Sequence, residues 1–98
     1  MARILERAGI RFQYSKKFLT YIDKSGKVHY REVDFWLERP FSIFWADTPI
    51  QAIEVKGLIL DDRCLRQREE LRGVGVVTFI ATPGHIIFWE KHGFLDKR

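Results

Sequence analysis

Three charged residues lie in stretches whose other residues are typical of strands, and their chemistry suits a metal ion. Asp34 lies within residues 28–38, and Glu54 and Lys56 lie at the end of residues 50–56. Because Glu54 and Lys56 are two residues apart, a strand places both side chains on one face. Burying such charges is costly unless a partner compensates, and carboxylates are the ligands that Mg²⁺ prefers. The spacing therefore predicts that Asp34 and Glu54 hold Mg²⁺, while Lys56 orients a water or stabilises charge that develops at phosphorus.

The elements that position these residues follow from the hydrophobic periodicity. Helices are predicted over residues 2–8, from a cap at Asp61 or Asp62 to Arg72, and over residues 85–92. Strands are predicted over residues 10–22, 28–38, 50–56 and 74–81. A turn joins the first two strands into a hairpin, and a helical crossover makes the third and fourth strands parallel. The expected fold class is α/β: a single domain over residues 1–98, with a mixed sheet of four or five strands flanked by helices.

Several residues are expected to interrupt these elements. The first strand can break near Ser15, and Arg39 and Pro40 end the second strand. Residues 41–46 can form a short extra strand or a lid, and residues 58–60 either extend the third strand or lead to the next element. Strict alternation gives the second strand two faces. One face carries Tyr30, Glu32, Asp34 and Trp36, and the other carries Arg31, Val33, Phe35 and Leu37.

Length and composition exclude several classes of protein. The chain of 98 residues allows one core and no second domain, and its 46% of hydrophobic residues excludes disorder. There is no apolar run of the roughly 20 residues that a membrane helix needs, and the opening residues lack the pattern of a signal peptide. Cys64 is the single cysteine, which excludes an internal disulfide and a multi-cysteine zinc site and predicts a buried thiol. We expect a cytoplasmic protein that has no membrane partner.

Positive charge is concentrated in the first third of the chain. The net charge is +4, yet residues 1–31 hold eight basic side chains against the two acids Glu6 and Asp23. The eight basic residues are Arg3, Arg7, Arg11, Lys16, Lys17, Lys24, Lys27 and Arg31. Such a distribution predicts a surface that faces the phosphates of a nucleic acid. The same residues can also be solvated side chains on a helix and a hairpin.

Together with the element order, the charged residues resemble a known family. Val33-Asp34 precedes Glu54-Val55-Lys56, with nineteen residues between Asp34 and Glu54. This pattern resembles the PD-(D/E)xK nuclease superfamily, which includes restriction enzymes, archaeal Holliday junction resolvases and very-short-patch repair endonucleases. The match spans nearly the whole chain, although Val33 replaces the nominal proline. The resemblance implies a restriction-endonuclease-like αβββαβ core and Mg²⁺-dependent hydrolysis of DNA, with Mn²⁺ able to substitute.

The resemblance also implies roles for individual residues. Asp34 and Glu54 match the metal-binding acids, Lys56 matches the catalytic lysine, and the Val55 carbonyl can be a further metal ligand. Many members of the superfamily carry an acid on the first helix, a position that Glu6 fits.

A polar residue on the helix after the lysine strand often joins the site, and Gln67 is the candidate. Glu6 can equally be an exposed helix residue beside Arg3 and Arg7. Gln67 can lie on a solvated helix rich in ion pairs.

Three functions therefore compete. The first is a metal-dependent DNA endonuclease, directed by substrate structure or by a partner, and acting as a homodimer or within a larger complex. The second is a catalytically silent subunit that binds nucleic acid or supports assembly. The third is a structural protein in which Glu54 and Lys56 form an ion pair on an edge strand. This hypothesis is tested by whether the two side chains face bulk solvent, away from Asp34. The aromatic residues Trp36, Phe44, Trp45 and Trp89 can stack on unpaired bases, pack in the core or cover a dimer surface.

Overall fold

The fold follows the predicted order of elements. The structure is a computed structural model that describes residues 1–57 and 62–96. Its elements are α1 (Ala2–Arg7), β1 (Phe12–Ile22), β2 (Val28–Phe41), β3 (Ile50–Val55), α2 (Asp62–Gly73), β4 (Thr78–Ala81) and α3 (Pro83–His92). The expected path of residues 58–60 and the cap at Asp61 lie outside the described residues. Within the described part of the chain, no helix has the length and apolar character needed to cross a membrane.

The four described strands form one mixed sheet in the order β1-β2-β3-β4. The pairs β1/β2 and β2/β3 are antiparallel, and β3 pairs with β4 in parallel across the α2 crossover. The α/β class and the mixed sheet are confirmed. Because β3 lies between β2 and β4, the predicted location of the Glu54–Lys56 ion pair on an edge strand is wrong.

One face of the sheet packs against α1 and α3. The partners Phe35 and Ile53, on β2 and β3, share this face, which we call the first core. Leu5 of α1 and Trp89 of α3 pack into it, and Trp89 is only 1% exposed. A core position for Trp89 is therefore confirmed.

The opposite face packs against α2 and forms the second core. Trp36 and Ala52 are partners across β2 and β3 on this face, and Leu71 of α2 packs on them. Cys64 of α2 is buried, as predicted. Since Glu54 is two residues from Ala52, its side chain points to the face of the second core.

The alternation of β2 breaks at Asp34, contrary to the prediction of two uniform faces. Val33 packs in the second core, whereas Phe35, two residues later, packs in the first. The β1/β2 register shows Tyr14 opposite Phe35 and Lys16 opposite Val33, without a pair at the positions between them. There Ser15 takes the left-handed backbone conformation, with φ of 53°. This irregularity, which we call the kink, lies at the predicted break near Ser15 and next to Asp34 on β2.

Three predicted boundaries are wrong. Strand β2 runs through Arg39 and Pro40 to Phe41, because its register with β3 shifts after Trp36 and the missing N–H of Pro40 falls where pairing is interrupted. The expected extra strand or lid at 41–46 is reduced to a bridge between Ile43 and Leu95.

The fourth strand starts at Thr78 and not at Val74. Residues Val74 and Gly75 form a turn, and Gly75 has a φ of 83°, a conformation that glycine adopts without a steric penalty.

Candidate metal centre where two strands separate

The site lies where β2 and β3 diverge. The register Phe35↔Ile53, continued by two residues, would place Val33 opposite Val55. Instead, the N–H of Val55 donates to Oδ2 of Asp34 at 2.7 Å. The carboxylate of Asp34 thus takes the place of a backbone carbonyl and fixes the end of β3 against the kinked strand.

The side chain of Glu54 contacts both other predicted site residues. The Lys56 ammonium lies 3.7 Å from Oε1 of Glu54, and their side chains are 31% and 18% exposed, respectively. The side chain of Glu54 also forms a hydrogen bond with the side chain of Asp34. The structure therefore brings Asp34, Glu54 and Lys56 together, as their spacing predicted.

Burial and the neighbouring acid raise the pKa of Glu54 to about 7. Burial makes the larger contribution, and the charge of Asp34 adds to it. The Lys56 ammonium and the backbone N–H of Asp34 act in the opposite direction. The lysine thus compensates only part of the negative charge, and the pair of acids requires a proton or a cation near neutral pH.

The donor set suits a hard divalent cation. A strand residue directs its N–H and C=O to the same neighbouring strand, so the Val55 carbonyl points toward the gap that Asp34 occupies. Within residues 1–57 and 62–96, no group of three or more His, Cys, Asp and Glu residues is arranged to hold a metal. The candidate ligands are the carboxylates of Asp34 and Glu54 and the carbonyl of Val55, a set that fits Mg²⁺, an ion that binds one or two carboxylates and retains several waters.

The two further predicted site residues lie in different surroundings. Glu6 is exposed on α1, whose residues Ile4 and Leu5 are buried in the first core, on the face opposite Glu54. Gln67 lines a cleft between α2 and the β1/β2 hairpin. Their participation in a metal site stays a prediction.

The predicted basic surface divides into paired and solvated residues. Arg31 forms an ion pair with Glu70, 39 positions away, and Lys16 lies over the Trp36 ring at 4.9 Å. Nε of Arg11 lies 3.8 Å from Oε2 of Glu38. The remaining members are exposed, namely Arg3, Arg7, Lys17, Lys24 and Lys27. Part of the charge therefore has a structural role, and the exposed members remain candidates for phosphate contact.

The hairpin tip contains a carboxylate whose role the sequence analysis missed. Oδ1 of Asp23 accepts hydrogen bonds from the N–H and hydroxyl of Ser25 and from the N–H of Lys27. Its Oδ2 lies 2.9 Å from Nε2 of His29, which stacks on Tyr21. Hydrogen bonds from Ser25, then His29 and Lys27, hold the pKa of Asp23 well below its usual range. The signal was available in the run Asp-Lys-Ser-Gly-Lys, since Asp often hydrogen-bonds the backbone two residues ahead.

Two aromatic side chains, His85 at the start of α3 and Trp45 beside it, make contacts that the sequence pattern did not indicate. Nδ1 of His85 accepts a hydrogen bond from the N–H of Thr82 at 3.0 Å, which closes a capping box at the start of α3. Burial lowers the pKa of His85. Trp45 is 63% exposed and contacts Phe88 edge-on, so stacking on a base remains open to it.

Comparisons with protein-family models, curated proteins and solved structures find no match to this chain.

Proposed function

We propose that the protein is a metal-dependent endonuclease that hydrolyses phosphodiester bonds of DNA. The observation that supports this function best is the convergence of two carboxylates and an ammonium group where β2 and β3 separate. A purely structural role does not explain why two neighbouring strands, β2 and β3, each contribute an acid to a pair that Lys56 only partly compensates.

Each site residue has a distinct part in this reaction. Asp34 and Glu54 would hold Mg²⁺ or Mn²⁺ together with the Val55 carbonyl. When bound, the ion supplies Lewis acidity and lowers the pKa of a coordinated water. Asp34 also accepts a hydrogen bond from the Val55 N–H, so this carboxylate is held in place before any ion arrives.

Lys56 lies beside the carboxylates and provides a mobile positive charge. Its ammonium, 3.7 Å from Oε1 of Glu54, would orient the attacking water and stabilise negative charge on the phosphoryl oxygens. In the balanced reaction the water oxygen bonds to phosphorus, one ester P–O bond breaks, and the departing oxygen takes up a proton.

Targeting would come from substrate structure or from a partner. A chain of 98 residues has little surface for reading a base sequence in addition to this site. A homodimer would present two sites to two strands, and association within a larger complex would achieve the same. Analytical ultracentrifugation with and without DNA distinguishes these arrangements.

The direct test is cleavage of labelled duplex, single-stranded, flap and four-way-junction DNA in Mg²⁺ or Mn²⁺. The wild type is compared with Glu54→Gln and Lys56→Gln. Matched controls are Glu90→Gln and Lys91→Gln, which change an exposed acid and an exposed base on α3. We expect cleavage to fall by about 100-fold or more in the two site variants and to be unchanged in the controls.

Two results would overturn the proposal. Equal cleavage by the site variants and the controls would place the chemistry elsewhere. Binding of DNA by the wild type without cleavage in either metal would favour the catalytically silent subunit.

A further inference from the structure

The junction between the β1/β2 hairpin and α2 holds a charged cleft that is separate from the carboxylate pair. Its volume is about 290 Å³. The lining residues are Tyr21, Arg31, Arg63, Arg66, Gln67 and Glu70. We call it the arginine cleft, because three of its six lining residues are arginines.

The charges of this cleft are unbalanced. Nε and Nη2 of Arg31 donate to the two carboxylate oxygens of Glu70, so this arginine is neutralised and held in place. Arg63 and Arg66 are exposed, and among residues 1–57 and 62–96 neither has a carboxylate within 4 Å. Two guanidinium groups are thus available to an anion, and their planar donor sets match the oxygens of a phosphate.

The two arginines project from one side of α2. Residues three and four apart share a helix face, which places Arg63 beside Arg66 and Gln67. The Gln67 amide and the Tyr21 hydroxyl add neutral donors from the two walls of the cleft. Such a set of donors suits phosphate oxygens better than a carbohydrate or an apolar ligand.

The cleft lies on the same side of the sheet as Glu54. Phe18, which pairs with Arg31 across the hairpin, packs on the second core, the face toward which Glu54 points. Arg31 precedes Asp34 by three residues on the same strand, β2, so one strand connects the wall of the cleft to the carboxylate pair.

From these observations we propose that the arginine cleft binds backbone phosphates of a nucleic-acid strand, on the same side of the sheet as the Glu54 side chain. The nature of the polymer rests on the proposed function. Arg63, Arg66 and Gln67 are the contacting residues. Glu70 is a positioning residue that holds Arg31 in the wall of the cleft.

The test measures binding of a labelled 20-base-pair duplex by fluorescence anisotropy in EDTA, over a series of salt concentrations. The double variant R63Q/R66Q is compared with R72Q/K91Q, which removes the same charge from exposed residues outside the cleft. We expect the double variant to bind several-fold more weakly and to reduce the slope of log K against log salt by about 2. The control should retain the slope of the wild type, and R63K/R66K should retain most of it.

Each other outcome overturns the inference. Equal salt slopes for R63Q/R66Q and R72Q/K91Q would show that the cleft contacts no phosphate. Tripolyphosphate that binds the wild type more tightly than DNA, and only through Arg63 and Arg66, would assign the cleft to a small anion.

The metal-free assay keeps this inference separate from the proposed function. If R63Q/R66Q loses DNA binding and the wild type does not cleave DNA, the phosphate-binding cleft is supported and the nuclease activity is not. Cleavage that needs Glu54 but proceeds equally in R63Q/R66Q, with an unchanged salt slope, would support the nuclease and reject the cleft.

Discussion

The hairpin tip and the gap between β2 and β3 each contain a carboxylate, and the surroundings of the two groups move their pKa values in opposite directions. At the hairpin tip, Asp23 accepts hydrogen bonds from Ser25, Lys27 and His29, which keep its pKa low. Where β2 leaves β3, Glu54 is partly buried beside another acid, and its pKa rises to about 7. A carboxylate satisfied by its own chain stabilises a turn, whereas a pair that lacks positive charge is suited to bind a cation.

The largest expected effect is a difference in DNA cleavage between variants of the two regions. Asp34→Asn removes a charged ligand and should reduce metal-dependent cleavage by about 100-fold or more. Asp23→Asn makes the same chemical change at the tip and should leave the cleavage rate unaltered. Initial rates on the preferred DNA substrate measure both. A comparable loss in the two variants would remove the distinction between the regions.

The next effect concerns the pH dependence of unfolding in EDTA. The folded pKa of Glu54, about 7, exceeds its ordinary value of 4.5, so the folded state binds more protons between these values. Its contribution to the free energy of unfolding is therefore largest at low pH and declines as the pH rises from 4.5 to 7, by on the order of 2 kcal/mol. Urea unfolding should show that Glu54→Gln removes this decline. Parallel pH profiles for the wild type and the variant would contradict the assignment.

Asp23 should show the opposite sign and a smaller, local effect. Its pKa is lowered by folding, so its stabilisation is present above the ordinary pKa of 3.8 and is lost as the pH falls. Asp23→Ala should speed amide exchange at Ser25 and Lys27, whose N–H groups lose their acceptor. Asp47→Ala, an exposed acid in another turn, serves as the control. Unchanged exchange at the tip would mean that the backbone alone holds the turn.

The smallest expected effect concerns the pH dependence of stability at a histidine, His85. The pKa of His85 is lowered by burial, so the folded state disfavours its protonation and stability falls as the pH drops below about 6.5. His85→Gln should retain the capping box, since Gln is a usual residue at that position. We expect a smaller loss of Tm between pH 7.5 and pH 5 in the variant than in the wild type. An equal loss would show that His85 does not govern the acid response.

The order of elements was predictable because local patterns determine it. Gly9 and Gly73 mark the ends of helices, and the Asp-Lys-Ser-Gly-Lys turn joins two strands. Each of these signals depends on interactions within a few residues. The meeting of Glu54 with Lys56 was also predictable, since it needs only the two-residue period of a strand.

The kink at Asp34 was not predictable in detail, since it depends on contacts between distant segments. Alternation alone puts Val33 and Phe35 on one face, yet they pack in different cores. The hydrogen bond between Asp34 and the Val55 N–H spans 21 positions, and the pairing of Arg31 with Glu70 spans 39. No local pattern encodes either contact. The geometry of the site and the partner of Arg31 could therefore be identified only from the folded structure.

The central claim is that the acid pair binds a divalent cation while Asp23 does not. Substoichiometric Mn²⁺ added to ¹⁵N-labelled protein tests it, because a bound paramagnetic ion broadens the nearest amide signals. We predict selective broadening at Asp34, Glu54 and Val55 in the wild type, which Glu54→Gln reduces, and unaffected signals at Ser25 and Lys27. Broadening centred on the hairpin tip, or none at Val55, would contradict the claim.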